Sequence, residues 1–519
     1  MAAIATTDPG DNSQFHRTLV KQFRNKAMEF LSSKKYANNL FDILSQWKNS
    51  TNLCMITLET IFLEVLRRDY MYLERTIAIT ISEPSPEIKY INWLREYYEE
   101  TWSKTLSCFE SDRTVIQNQA LTTAINMMAQ EGKHPIDARE NHAYFFPVHR
   151  LKSILMALLS PDQDNTHLIS KFEETLEYKD ALYYTLKTLP SLTPKRQPHK
   201  LFIKNLLELI NRLALAKENA YNATSENQKL LCHLPNSPVN FTWDQSSAKK
   251  SLNKVWGCIM HWELTPQLHK LLLIVLVERV IQHLEKPILL TDFLMDSLDV
   301  DGPIGVLALK GVYELVTKHN LEYPNIFTKL YAMFEPEIFH TKYKARLFYL
   351  SDLFLQSTHL PEALVAAFIK RLARLTLVAP PEDIMIILEF IGNLLLRHPG
   401  LKCLIDHPHG GELSDYPGVG DPFLMEERDP LQSNALLSSL WEIRALQHHV
   451  LPSIATKARF INNPLSSKEH DVTAALDNTG EDIFNKEIKD TVKDIMLTFE
   501  RPHSMSLPKG ERLFQYWQL

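Results

Sequence analysis

Apolar residues recur at intervals of three and four along almost the whole chain, the period of a helix with one buried face and not the alternation of a strand. Tyr343, Leu347, Leu350 and Phe354 step by four, three and four, and Phe348 and Leu355 widen the same stripe. One amphipathic helix is predicted there. It is expected to end over Thr358 to Pro361, because proline disfavours helical geometry in the residue before it and suits the first turn of a following helix. The next segment sets Leu364, Phe368, Leu372 and Leu375 on one side, with Ala363, Ala366, Ala367 and Ala373 small enough for a close neighbour. A third opens at Pro380 and Pro381 and carries Glu382 and Asp383 in its first turn, where the helix dipole favours acids. It repeats through Ile384, Ile387, Ile391 and Leu394, and Arg397, His398, Pro399 and Gly400 close it.

The same periodicity predicts helices near Phe15 to Leu31, Asn38 to Trp47, Leu53 to Arg67, Tyr90 to Phe109, Thr114 to Gln130, Val148 to Leu159 and Lys200 to Ala216. It continues over Lys249 to His261, Gln267 to Leu284, Ile304 to His319 and Asn325 to Phe334. Helix follows helix with short connections and no strand-helix-strand alternation. The expected fold is all-α, an α-solenoid of HEAT-like antiparallel helix pairs. No repeat of fixed length recurs, so this rests on helix spacing, and a compact irregular bundle of the same helices is the alternative.

Two breaks divide the pattern. Asn222 to Trp243 holds Pro235 and Pro238 among several Asn and Ser residues, and Gly400 to Pro430 concentrates glycine and proline. Three regions are therefore expected: a helical repeat region over 1–235, a second helical domain over 236–464 with an acidic loop at 400–430, and a polar arm over 465–519. The arm carries isolated hydrophobic spots at Phe484, Phe514, Tyr516 and Trp517 and is expected to be partly disordered, docking through its last aromatics.

Composition narrows the class. There are fourteen glycines in 519 residues, against a usual ~7%, and five of them lie between Gly400 and Gly420, so the helical body is almost free of them. That disfavours β-rich folds and catalytic scaffolds built on glycine turns. The net charge of −6 argues against a broadly basic nucleic-acid-binding domain. From Asp406 to Pro430 seven acids face one base, Arg428, so the local balance is again −6. Five widely spaced cysteines without a C-x-x-C pair suit a reducing compartment. Residues 1–14 have no apolar core of a secretory signal, and no stretch approaches the ~20 apolar residues of a membrane span.

Motifs for chemistry are sparse. There is no phosphate-binding glycine loop, no H-E-x-x-H and no G-x-S-x-G, and Gly418-Val419-Gly420 is followed by acids that would repel a phosphate. His398, Cys403, His407 and His409 are ligand types for zinc, but Cys403 is an isolated thiol and both loop histidines adjoin Pro408. The basic residues Lys342, Lys344, Arg346, Lys370, Arg371 and Arg374 outnumber Asp352 and Glu362 between Ile338 and Arg374. Lys370 and Arg374 share a helix face, as do Arg371 and Arg374, and such a face can grip phosphates or an acidic partner. The alternative is the solvated exterior of amphipathic helices.

The run from Lys318 to Pro399, which includes "RLFYLSDLFLQSTHLPEALVAAFIKRLARL", resembles the CCAAT-binding-factor-like domain of the nucleolar complex protein 4 family. "DPLQSNALLSSLWEIRALQHHVLP", Asp429 to Pro452, is similar to the segment that follows it in that family, and "NNLFDIL" at Asn38 to Leu44 is similar to the family's start. The resemblance implies an all-helical, non-enzymatic nucleolar scaffold that pairs with nucleolar protein 14 and joins the small-subunit processome with its pre-rRNA. It implies roles in pre-18S rRNA processing, 40S subunit assembly and pre-40S export, without a cofactor. Lacking the strongly basic extension of some relatives, the chain is expected to work mainly through protein contacts, and no pattern for sequence-specific DNA reading is present. A metal-dependent hydrolase centred on His398, Cys403, His407 and His409, or a helical-repeat transport adaptor, are the competing readings. On the scaffold reading, reversing Lys370, Arg371 and Arg374 to glutamate weakens association with the particle and leaves the chain folded.

Overall fold

The computed structural model describes residues 9–73, 86–137, 144–213, 229–233, 241–300, 302–321, 323, 325–406, 421–465 and 468–494. Among them there is no strand; a single isolated bridge joins Leu73 and Asp137. The chain divides into two compact units, Met1–Asn320 and Leu321–Leu519. Asn320, at the end of the last helix of the first unit, takes the left-handed conformation with φ 50°, which Asn tolerates at a helix end better than most residues.

The first unit runs α1 (Pro9–Ser32), α2 (Asn38–Ser45), α3 (Thr51–Arg67), α4 (Pro86–Ser107), α5 (Thr114–Lys133), α6 (Val148–Leu158) and α7 (Thr166–Leu176). It continues through α8 (Lys179–Leu192), α9 (Lys200–Arg212), α10 (Gln245–Ile259), α11 (Pro266–Val275), α12 (Thr291–Leu298) and α13 (Pro303–His319). Neighbouring helices pack as pairs, α3 on α5 and α12 on α13 most extensively. This is the all-α arrangement of stacked helix pairs that the periodicity predicts. Two helices, α7 and α8, were not picked out by their stripes, and α8 keeps Pro190 inside its last turn. The stretch predicted as one helix from Gln267 to Leu284 is instead α11, a π turn at Leu276–Val280 and a 3-10 turn at Ile281–His283. α10 starts earlier than its apolar stripe because the Asp244 carboxylate accepts from the Ser247 backbone N–H. The same helix packs on α8 within the first unit, so the break expected after residue 235 does not separate the compact units.

Buried charge ties the first unit together. Arg150 of α6 donates through Nε to Glu131 of α5 at 2.8 Å and through Nη1 to Glu99 of α4 at 2.7 Å. Tyr98 donates to the same Glu131 at 2.9 Å, and the guanidinium lies 4.9 Å from the Tyr98 ring and 4.8 Å from that of Trp102. Arg150 and Glu131 are both buried, so each supplies the partner the other needs. Burial raises the Glu131 pKa, but hydrogen bonds from His149 and Arg150 outweigh it and hold the carboxyl below its usual range.

The second unit is α14 (Ile326–Ala332), α15 (Lys344–Phe354), α16 (Glu362–Leu375), α17 (Pro381–Arg397), α18 (Trp441–Leu446), α19 (Pro452–Ala458), α20 (Val472–Leu476) and α21 (Gly480–Asp494). Its centre is a chain of edge-on rings: Tyr331 on Phe368, Phe334 on Phe368 and Phe348, and Phe348 on Phe390, with centroids 5.3 to 6.2 Å apart. Pro361 precedes α16, and Pro380 and Pro381 open α17, as predicted.

The arm expected from 465 onward is docked over its first part. Arg397 grips Glu469 through Nε and Nη2 at 2.9 and 2.8 Å, and Asn393 and His470 exchange two hydrogen bonds. Asp471 caps α20, whose Val472 and Ala475 are buried. Phe514, Tyr516 and Trp517 lie outside the described residues.

One glycine has a steric reason to be glycine. A Cβ on Gly132, in the last turn of α5, would lie 2.3 Å from Cys232 Sγ and 2.5 Å from Cys232 Cβ. Cys232 has little room to retreat, because Asp180 accepts from the backbone N–H of Leu231 at 2.9 Å and of Cys232 at 3.0 Å. Gly132→Ala is expected to destabilise by about 1–3 kcal/mol, the usual range for overpacking, read as a lower urea midpoint. Adding Cys232→Gly should recover part of the loss, and an unchanged midpoint in Gly132→Ala alone would contradict the packing argument.

Candidate functional site

The six basic residues singled out from the sequence do not form one outward face. Lys370 is fully buried, Arg371 is buried at 8% exposure, and Arg374 is half-buried. The reason lies in α16 itself: every residue from Leu364 to Ala373 is buried, so cations at 370 and 371 are carried inward with their helix. Lys344 is also committed, donating to the fully buried Asp383 at 2.9 Å and tying the start of α15 to the start of α17. Lys342 is exposed and Arg346 half-buried.

What α16 meets is the end of the acid-rich segment. The Lys370 ammonium donates to the Ser439 carbonyl at 2.6 Å and to Glu442 at 2.7 and 2.9 Å, and it pairs with Asp421 Oδ2 at 2.9 Å. An ammonium has three protons, and three groups receive them. Arg374 donates through Nη2 to Asp421 Oδ2 at 2.6 Å, its Nε is 2.8 Å from Glu442 Oε1, and its guanidinium stacks 4.7 Å from the Trp441 ring. Trp441 Nε1 also donates to Asp421 at 2.8 Å, and the Ser438 hydroxyl and the Phe423 amide donate to its other oxygen. Two cations and two carboxylates thus cancel in formal charge.

Arg371 completes the attachment beside this cluster. Its Nε donates to the Phe334 carbonyl at 2.8 Å, its Nη1 donates to the Met425 carbonyl at 3.0 Å, and its guanidinium lies 4.6 Å from the Tyr331 ring. The acidic loop expected to move is therefore pinned at its C-terminal end, from Asp421 onward. Residues 407–420 lie outside the described residues.

The two carboxylates of the cluster differ. Burial raises the Asp421 pKa, but donation from Ser438, Trp441 and Lys370 more than reverses it, and the carboxyl is held well below the usual range. Glu442 is raised, because its burial outweighs the pull of Lys370 and Arg374. A depressed carboxyl contributes stability that is present above its unfolded pKa of about 4 and lost as pH falls through the folded value. Glu442 works in the opposite sense, its contribution fully present below its unfolded pKa and lost as pH rises through its raised folded value.

The metal-type residues are not assembled. His398 is buried, burial lowers its pKa, and Cys403 is half-buried in the 3-10 turn that follows. His407 and His409 lie outside the described residues. Among the described residues no three His, Cys, Asp or Glu side chains are placed to hold a metal ion, and no helix is long and apolar enough to cross a membrane.

Comparison with known proteins follows the same division of the chain. Residues 305–458 match a family model described as CBF/Mak21 family, and residues 16–197 match one described as nucleolar complex protein 4-like, TPR repeats. TPR and HEAT arrays are both stacks of antiparallel helix pairs. The chain is 36% identical to nucleolar complex protein 4 homolog B of Xenopus laevis, over 92% of this chain and 91% of that one. It is 33% identical to the Homo sapiens homolog over 88% and 90% of the two chains, and 31% identical to the Saccharomyces cerevisiae protein over 79% and 80%.

The earlier expectation for charge reversal is now inverted. Lys370→Glu places a third carboxylate against Asp421 and Glu442 with no water to screen them, and should destabilise the chain by roughly 3–5 kcal/mol. Lys342→Glu, on the surface, should stay within about 0.5 kcal/mol. Urea titration of the two variants checks this, and equal midpoints would contradict the buried assignment. Asp421→Asn should flatten the acid limb of stability below about pH 4, measured as the midpoint against pH; an acid limb as steep as that of the unsubstituted chain would contradict it.

Proposed function

The chain belongs to the nucleolar complex protein 4 family, and from that premise we propose that it is a non-enzymatic scaffold of ribosome biogenesis in the nucleolus. In this reading it joins the small-subunit processome, forms a complex with a nucleolar protein 14 homologue, and acts in pre-18S rRNA processing, 40S assembly and pre-40S export. The observation that carries the reading is family membership extending over most of the chain. Stacked helix pairs support it physically, since they present extended surfaces suited to holding partners.

The internal use of Lys370, Arg371 and Arg374 changes where the partner is met. These cations shape the second unit, and Lys342 and Arg346 keep the role of outward contact candidates. The competing hydrolase reading has no assembled donor set among the described residues, and no structural feature favours the transport adaptor.

Affinity purification of the tagged chain from its own cells tests the proposal. The expected result is enrichment of 18S precursors and of a nucleolar protein 14 homologue, with accumulation of uncleaved 18S precursors when the chain is depleted. Enrichment of large-subunit precursors instead, or normal 18S maturation after depletion, would contradict it. Lys342→Glu combined with Arg346→Glu should reduce recovery of the partner severalfold without lowering the urea midpoint, and unchanged recovery would remove that surface from the account.

A further inference from the structure

α4 carries aromatic residues on two sides. Tyr98 and Trp102 face inward and are buried around Arg150. Tyr90, Trp93 and Tyr97, spaced by three and four, form a second row that the core does not use. Tyr90 and Trp93 are stacked, with centroids 5.7 Å apart and planes 23° from parallel, and Trp93 and Tyr97 are 4.6 Å apart. All three are only half-buried, so part of each ring meets solvent.

Cations border the row. Lys34 Nζ lies 5.4 Å from the Tyr90 ring, and the Arg68 guanidinium lies 5.9 Å from the ring of Tyr70. Lys34, Arg68 and Tyr70 are exposed. Tyr70 is also near Tyr90: burial, and after it the Tyr70 phenol, raises the Tyr90 pKa. Stacked rings edged by exposed cations are unexpected on a chain whose net charge is −6.

We propose that this patch binds unpaired RNA, with bases stacking along Trp93 and its neighbouring tyrosines and phosphates meeting Lys34 and Arg68. Single strands offer free base faces to aromatic rings and a phosphate at every nucleotide to flanking cations, whereas a duplex hides its base faces. A proline-rich peptide also lies on aromatic rows, but it has no anionic backbone to engage the two cations. The inference concerns the first unit alone and stands without the scaffold reading above.

The test uses the full chain and fluorescein-labelled oligouridine of about twelve nucleotides, within the span that one such surface covers, read by anisotropy at low salt. Single-stranded RNA should bind, and Trp93→Ala should weaken it about 5- to 100-fold, the loss of one stacked base. Lys34→Glu, an exposed change, should weaken binding and flatten its dependence on salt. Trp93→Phe keeps a ring and should retain most of the affinity, which separates lost stacking from lost folding. Tyr349→Ala, an exposed aromatic of the other unit, should change nothing. The proposal is overturned if the single strand does not bind, if a duplex of equal length binds as well, or if Trp93→Ala and Lys34→Glu bind as the unsubstituted chain does. It is equally overturned if a proline-rich peptide binds the row and RNA does not.

Discussion

A lysine ammonium with no exposure to water must find acceptors for all its protons, and the second unit is organised around that requirement at Lys370. The needed groups come from far along the chain: the Ser439 carbonyl, Glu442 and Asp421. Meeting the requirement brings the stretch from Asp421 to Leu446 onto α16. Removing either side would leave a buried charge without its counterpart, which costs far more than the pair contributes. Arg371 reinforces the attachment by binding one carbonyl before the segment, at Phe334, and one within it, at Met425.

The first unit solves a similar problem with the same parts. Arg150 and Glu131 are buried together, shared between three helices, and bordered by Tyr98 and Trp102. In both clusters a guanidinium lies over an indole ring, which accepts cationic charge on its face while excluding water. Stacked helices have no ladder of backbone hydrogen bonds between them, so polar contacts of this kind give the register that apolar packing alone leaves degenerate. That division of labour fits a family in which helical surfaces are the working parts.

Much of the fold was legible because helical periodicity is a local property. The stripe of Tyr343, Leu347, Leu350 and Phe354, and the prolines at 361, 380 and 381, placed α15 to α17 nearly to the residue. α7 and α8 escaped because Pro190 reads as a breaker, although it sits in the last turn of α8. The inward direction of Lys370 was present in the sequence as well. From Ala363 to Ile369 there is no polar residue on any face, the mark of a helix buried all round, and cations continuing such a run have no solvated side to occupy. Their partners were not legible, since Asp421 and Glu442 lie 51 and 72 positions from Lys370 in an acid-rich stretch that reads as a loop.

The central claim is that Lys370 and Glu442 exist for each other. A double-mutant cycle with Lys370→Met, Glu442→Leu and the combination, in the full chain, measures their coupling free energy by urea denaturation. The expected coupling is about 2–3 kcal/mol, with the double variant more stable than either single one, because two buried charges are removed together. Additive losses, with coupling near zero, would mean that each charge is satisfied elsewhere and that the clamp on α16 does not hold the second unit.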